Sequence, residues 1–174
     1  MRMLVVAGLL ISVSGTYVGQ RSLESSLQTQ LTSLFPAADF FSPKEGSPPH
    51  FKVCQGDAES EQRVLMGFAF WTTELEPLER GYDGPIKILV GVDIDGVLTG
   101  IVVVDHHEPY GYFSIDRPQY AAQFLQKSIR DAFRVGSDID AISTATLTVT
   151  SATRAVRNSA RRIAKQFLTP PELR

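Results

Sequence analysis

The chain has 174 residues, 43% hydrophobic and 21% charged, ordinary values for one globular domain with room for a core and a terminal segment. A formal net charge of −2 supplies no field that would hold nucleic acid or another polyanion, so no nucleic-acid partner is expected. Cys54 is the only cysteine, which excludes an intramolecular disulfide. Beside Val53 it reads as a small buried hydrophobe.

Residues 1–20 contain a single charge, Arg2. An apolar run from Met3 to Val13 follows this basic start, which is the layout of a secretory signal, with Val13 and Gly15 as the small residues before a cut at Thr16. The uncharged window from Met3 to Gln20 approaches the roughly 20 residues that a membrane span needs. An uncleaved anchor is therefore the competing reading, and a buried N-terminal strand is a third. The first two readings send the following domain across the inner membrane. Residues 22–34 predict a helix, with Leu23, Leu27, Leu31 and Leu34 at helical spacing, Ser22 as cap and Pro36 as its stop. Behind an anchor, this helix would be a stalk.

Residues 35–56 read as a loop punctuated by Pro36, Pro43, Pro48 and Pro49, with Phe40 and Phe41 as a plug against the domain. Strands are predicted at 51–54 and 64–71, which are rich in aromatic and β-branched residues. After the turn cluster Gly81-Tyr-Asp-Gly-Pro85, strands at 86–92 and 97–104 are joined through Asp93-Ile-Asp95-Gly96. Asp-Gly between two apolar runs predicts a hairpin in which both turn residues take positive φ. Calcium is a poorer account of Asp93 and Asp95, since the twelve-residue loop and its terminal Glu are missing. Residues 118–134 predict a helix with Ala121, Phe124, Leu125, Ile129 and Phe133 as its apolar stripe. A final helix carries Ala152, Ala155, Val156, Ser159, Ala160, Ile163, Ala164 and Phe167 at helical intervals, and Pro170-Pro171 stop it. Arg154, Arg157, Arg161, Arg162 and Lys165 read as its solvated face. The predicted class is α+β: an antiparallel sheet from about Phe51 to Val104 flanked by helices and preceded by an N-terminal hydrophobic signal or anchor segment.

His106, His107 and Glu108 are the only cluster of metal-ligand residue types. Neighbouring side chains of an extended segment point to opposite sides, so His106 and Glu108 share a face that His107 does not. Only His50 remains as a further histidine, which leaves too few ligands for zinc, and no metal site is expected. No Ser-His-Asp set, Gly-x-Ser-x-Gly elbow or nucleotide-binding Gly-rich loop is present. The stretch from Asp140 to Thr153 is more telling. Seven of the eleven residues from Ser143 to Thr153 carry a hydroxyl. The plain reading is a Thr-rich edge strand running into a helix. The sharper one is a phosphate-bearing loop just before a helix N-terminus, where free N–H groups and the helix dipole stabilise negative charge.

Asp140-Ala-Ile-Ser143-Thr144-Ala145-Thr146 resembles the Asp-x-x-(Ser/Thr)-Gly-Ala-Thr motif of the bacterial FMN-binding domain family. That family includes the C subunit of the sodium-translocating NADH:quinone reductase, the G subunit of the Rnf electron-transport complex, and the N-terminal part of the regulators of nitrous oxide and nitrite respiration. The likeness extends to Gly81-Tyr-Asp-Gly-Pro85, to the hairpin around Asp93–Gly96, and to Asp105-His106-His107-Glu108-Pro109, which looks most like the regulator branch, as does Ser159-Ala-Arg-Arg-Ile-Ala164. It covers roughly residues 35–167. The resemblance implies that Thr146 carries FMN through a phosphoester, attached by a flavin transferase that uses FAD and magnesium. One position departs: the family's Gly is Thr144 here. If that Gly serves positive φ, Thr is poorly suited and transferase recognition suffers. If it serves small size, Thr144 is accommodated.

The resemblance implies a cofactor site of Thr146, Asp140, Ser143, Thr144, Ala145, Thr148, His106 and Glu108. Ser143, Thr148 and Thr150 are expected to donate to the phosphate and Arg154 or Arg157 to balance it. The 106–111 loop with Tyr82 and Tyr110 is expected to form the flavin slot. The implied layout is a signal or anchor at 1–20, a helical stalk at 21–34, the FMN-binding domain at 35–168 and a tail at 169–174. The implied function is a periplasmic, exported or membrane-anchored electron relay. It works with membrane redox partners and carries electrons rather than converting a substrate. The alternative is a module that holds flavin non-covalently, or that senses or docks within a respiratory system.

Overall fold

A computed structural model describes residues 16–56 and 63–168. The anchor-or-signal segment up to residue 15, the 57–62 turn and the stop at Pro170-Pro171 lie outside the described residues. The element order is α1 (Thr16–Leu34), β1 (Phe40–Phe41), β2 (Phe51–Gln55), β3 (Val64–Trp71), α2 (Thr72–Leu75), β4 (Lys87–Asp93), β5 (Leu98–Asp105), α3 (Pro118–Ala122) and α4 (Thr146–Ile163). A single 3₁₀ turn, Gly111–Phe113, follows β5, and a π-helical turn, Ala164–Leu168, continues α4.

The strands form a five-stranded antiparallel meander in the order β1-β2-β3-β4-β5. The pleat sends alternate side chains to opposite faces, and both faces are buried. Phe68 and Phe70 of β3 with Ile88, Val90 and Val92 of β4 meet Val149, Ala152, Val156, Ala160 and Ile163 of α4. The intervening Ala69, Trp71 and Leu89 meet Leu31, Leu34 and Phe35 at the end of α1. The sheet therefore lies between α1 and α4, as the alternating apolar runs and the period of the last helix require. Cys54 is buried, as its apolar neighbour suggested.

Four expectations need correction. The sheet begins earlier than Phe51, because Phe40 and Phe41 pair with Cys54 and Val53 as an edge strand. Phe41 also packs on the α1 side of the core, so the plug is real but serves a strand. The 22–34 helix starts no later than Thr16, and its last two turns bury Leu31 and Leu34. That end of the segment packs into the core. The β4–β5 turn needs only one left-handed residue, Gly96 at φ 79°. Asp93 does the rest, its carboxylate accepting the N–H groups of Asp95 and Val97 at 2.9 and 2.8 Å.

The predicted 118–134 helix stops at Ala122. The backbone beyond it pairs with the start of β5 instead. Leu98 N–H donates to Lys127 O at 2.8 Å, and Gln126 and Ile129 donate to Leu98 O and Gly96 O at 2.9 Å. This pairing needs Gln126 at φ 64°, which no helix contains. Phe124 and Phe133 still reach the core and Ala121 and Ile129 pack against it, whereas Leu125 stays exposed. The stripe marked burial without marking helix.

Candidate functional site

The site forms where three segments converge on the first turn of α4: the 81–85 turn, the loop after β5, and the 140–145 approach to the helix. Val149 N–H makes the first intrahelical bond, to Ala145 O at 2.9 Å. The N–H groups of Thr146, Leu147 and Thr148 therefore precede the ladder. No side chain caps them. Thr146 is exposed, and its hydroxyl makes only a long contact, 3.5 Å, with Ile142 O. Thr144, Ala145, Thr146, Leu147 and Thr148 line a pocket of about 270 Å³ together with Tyr82 and Tyr110. The two tyrosines expected at the flavin slot thus stand beside the expected acceptor.

Glu108 organises the floor. It is buried, and its carboxylate accepts Tyr82 N–H at 3.1 Å, Asp83 N–H at 2.9 Å and the Thr148 hydroxyl. These contacts tie the 81–85 turn to the first turn of α4. Gly81 makes the approach possible, because a Cβ there would lie 2.3 Å from Glu108 Oε1. His106 holds Glu108 from behind. Its Nδ1 accepts Glu108 N–H at 3.1 Å, which leaves Nε2–H to donate to Asp116 at 2.7 Å. Gly111 packs so closely over this imidazole that a Cβ would lie 2.2 Å from it. His106 and Glu108 do share a side, and His107 faces solvent. They share it as a support beneath the pocket rather than as its lining.

Other expected residues sit elsewhere. Thr148 is buried on Glu108 and does not present its hydroxyl beside that of Thr146. Positions two apart on a helix point about 200° apart. Asp140 and Ser143 are exposed, and Asp140 is fixed through its N–H to Gln123 Oε1 at 2.7 Å. Arg154 is bound by Glu79 through Nε at 2.7 Å and Nη2 at 2.6 Å, and Ser151 donates to the same carboxylate at 3.0 Å. The Arg154 hydrogen bond holds the Glu79 carboxyl below its usual range, against the opposing effect of burial. Eight residues place Arg154 about 12 Å along the axis from Thr146, so it does not close on a phosphate there.

Thr144 resolves the question posed by its place in the motif. It has φ 70°, in the left-handed region. The position demands the backbone conformation that Gly supplies without strain, and a β-branched residue occupies it here. The sequence reading also missed Leu147, which is exposed on the pocket wall, and Glu79, which claims Arg154. Leu147 had a signal: an apolar side chain between threonines on the polar side of the helix.

The fold and this geometry define a class: a small α+β domain whose sheet carries a helix with an uncapped N-terminus beside an aromatic-walled pocket. Residues 81–161 match the family model of the FMN-binding domain. Over 89 residues the chain is 33% identical to the G subunit of an ion-translocating oxidoreductase complex from Aliivibrio fischeri strain ES114. It is 32% identical over 89 residues to the counterpart from strain MJ11. Each match covers 45% of this chain and 42% of the relative, so the aligned part spans less than half of those proteins. The likeness to the FMN-binding domain family is thus carried by residues 81–161.

Proposed function

We propose that the protein is an extracytoplasmic FMN-carrying electron relay, with the flavin joined to Thr146 through a phosphoester. The observation that carries this reading is the exposed Thr146 hydroxyl at the uncapped start of α4, opening on the pocket walled by Tyr82, Tyr110 and Leu147. A phosphodiester there receives the first-turn N–H groups and the positive end of the helix dipole. In forming it, the Thr146 oxygen replaces AMP on the FMN phosphorus of FAD, the hydroxyl proton leaves, and a flavin transferase with magnesium performs the exchange. FMN supplies one- and two-electron transfer when bound. Tyr82, Tyr110 and Leu147 supply apolar surface for its ring, and the Glu108–Thr148 contact holds that wall in place.

The pocket's 270 Å³ is below the roughly 300–1,000 Å³ of sites that enclose a small molecule. A flavin held there would keep an edge in solvent, which suits exchange with a partner more than sequestered substrate chemistry. Membrane redox proteins are the partner class, in line with the relatives that belong to an oxidoreductase complex. The N-terminal apolar segment would export or anchor the domain. Among the described residues, no helix is long and apolar enough to cross a membrane.

A second reading, flavin held without a covalent bond or a docking module without flavin, draws on Thr144, whose left-handed backbone lacks the family's Gly. Co-expression with a flavin transferase, denaturation and in-gel fluorescence separate the two. The relay reading expects fluorescence that survives denaturation and vanishes in Thr146→Val. A yellow native protein that loses all its flavin on denaturation would establish the second.

A further inference from the structure

A different cavity lies one helical turn further along α4. It has a volume of about 310 Å³, and its walls include Phe133, Arg134, Thr150, Arg154 and Arg157. We propose that it is a second anion site, independent of Thr146, that takes a phosphomonoester group.

The charge inventory supports this. Three guanidinium groups converge on the cavity. Glu79 pairs with one of them, Arg154, and fixes it in place, and it lies near enough to Arg157 to feel that charge as well, without a hydrogen bond to it. The nearby Asp138 is already used by Lys127 at 3.1 Å and by the N–H groups of Phe133 and Arg134. Asp131 accepts Ser128 N–H at 3.0 Å. Arg134 makes no side-chain ion pair with any of these carboxylates. Among the described residues, Arg157 donates from Nε alone, to Asn158 Oδ1 at 3.1 Å. Two guanidinium groups thus keep donors free, which matches the double charge of a phosphomonoester near neutral pH. A single carboxylate would be saturated by one guanidinium fork, whereas the oxygens of a phosphate can engage several. Thr150 adds a half-buried hydroxyl at the wall, unlike Thr148 and Thr153, which are committed to Glu108 and Tyr120.

The loop is built to hold this geometry. Phe133 stands at φ 49°, a conformation a bulky residue rarely adopts. Asp138 maintains it by accepting both successive N–H groups, and Arg161 clamps the same loop by donating to Ile129 O at 2.9 Å and Asp131 O at 2.8 Å. Strain maintained by such contacts tends to gather where a ligand is held. The cavity exceeds a bare phosphate, so the group would arrive on a larger body, either a soluble phosphorylated molecule or a lipid headgroup.

Calorimetric titration of the full chain with inorganic phosphate, at constant ionic strength and with chloride as control, tests the site. Wild type and Thr146→Val are expected to show the same single saturable binding event. The double variant Arg134→Gln, Arg157→Gln is expected to bind at least tenfold more weakly. Absence of saturation in wild type, or unchanged affinity in the double variant, overturns the proposal. Loss of binding in Thr146→Val alone would overturn its independence from the flavin site. Flotation with phosphatidic acid vesicles identifies a headgroup source if wild type floats more than the double variant and free phosphate removes the difference. Saturable phosphate binding with equal flotation of the two proteins identifies a soluble source.

Discussion

The Thr148 hydroxyl donates to the buried carboxylate of Glu108, joining the first turn of α4 to a loop forty residues away in sequence. The same carboxylate accepts the N–H groups of Tyr82 and Asp83. One side chain therefore sets the relation between Thr146, the proposed acceptor two residues earlier on the helix, and Tyr82 across the pocket. In Glu108→Gln, the amide offers one acceptor oxygen and one NH2, and the NH2 must face donors that the carboxylate satisfied. A buried donor left without a partner costs about 1–3 kcal/mol. The urea midpoint should fall accordingly, with the slope unchanged. A midpoint equal to wild type would show that the triple contact does not hold the site together.

Thr144 offers a prediction of the opposite sign. Left-handed backbone costs a residue bearing Cβ about 1–2 kcal/mol, and Gly gives back about 0.5–1 kcal/mol through greater freedom in the unfolded chain. Thr144→Gly is therefore expected to stabilise the domain by up to about 1.5 kcal/mol. Thr144→Ala, which keeps Cβ at φ 70°, should gain nothing. If the transferase reads the motif's backbone, Thr144→Gly also raises flavin labelling at Thr146. Equal thermal midpoints for the Gly and Ala variants would remove strain from the account of this position.

The contrast between Thr144 and Thr148 shows what could be read in advance. The motif identified a glycine position, and the chemistry of Gly named positive φ as one of two reasons for it. The φ of 70° at Thr144, set by the fold, decides between them. For Thr148, the expectation counted hydroxyls rather than following the helix. A rotation of about 100° per residue points Thr148 away from Thr146 and toward the core side, and that was derivable once α4 was placed. The sheet and α4 were legible because their periods are strong. The 118–134 segment was not, since its stripe fits a helix as well as it fits a backbone that turns at Gln126 to pair with β5. That choice depends on backbone groups at Gly96 and Leu98, far back along the chain, which no local pattern records. Glu79 was missed for the same reason: 75 residues separate it from Arg154.

The Glu79–Arg154 pair makes a pH prediction. Glu79 has its carboxyl held below the usual range, with the Arg154 hydrogen bond as the leading cause. A depressed folded-state value means that the pair stabilises the fold above the ordinary carboxylate range and loses this as pH falls through the depressed value. Arg154 is half exposed, so solvent screening keeps the effect modest. The difference in thermal midpoint between wild type and Glu79→Gln should be largest near about pH 6 and shrink below about pH 4. A difference that stays constant across this range would mean that ionisation of Glu79 is not what couples it to the fold.

Gly81 and Glu108 allow the site's packing to be tested by coupling. A Cβ at residue 81 would meet Glu108 Oε1 at 2.3 Å and Ile86 Cδ1 at 2.9 Å. Gly81→Ala must therefore push the carboxylate off the Tyr82 and Asp83 N–H groups, or move the turn itself. Overpacking of this kind costs about 1–3 kcal/mol. In a Glu108→Ala background the carboxylate and its hydrogen bonds are already gone and only the flexible end of Ile86 is left to move, so the added methyl should cost less. The two substitutions should then be sub-additive by at least about 1 kcal/mol, as residues in direct contact are. Gly111→Ala, which clashes with His106 rather than with the carboxylate, should remain closer to additive with Glu108→Ala. Strict additivity of Gly81→Ala with Glu108→Ala would mean that Gly81 serves its own turn geometry, and that the carboxylate does not require the missing Cβ.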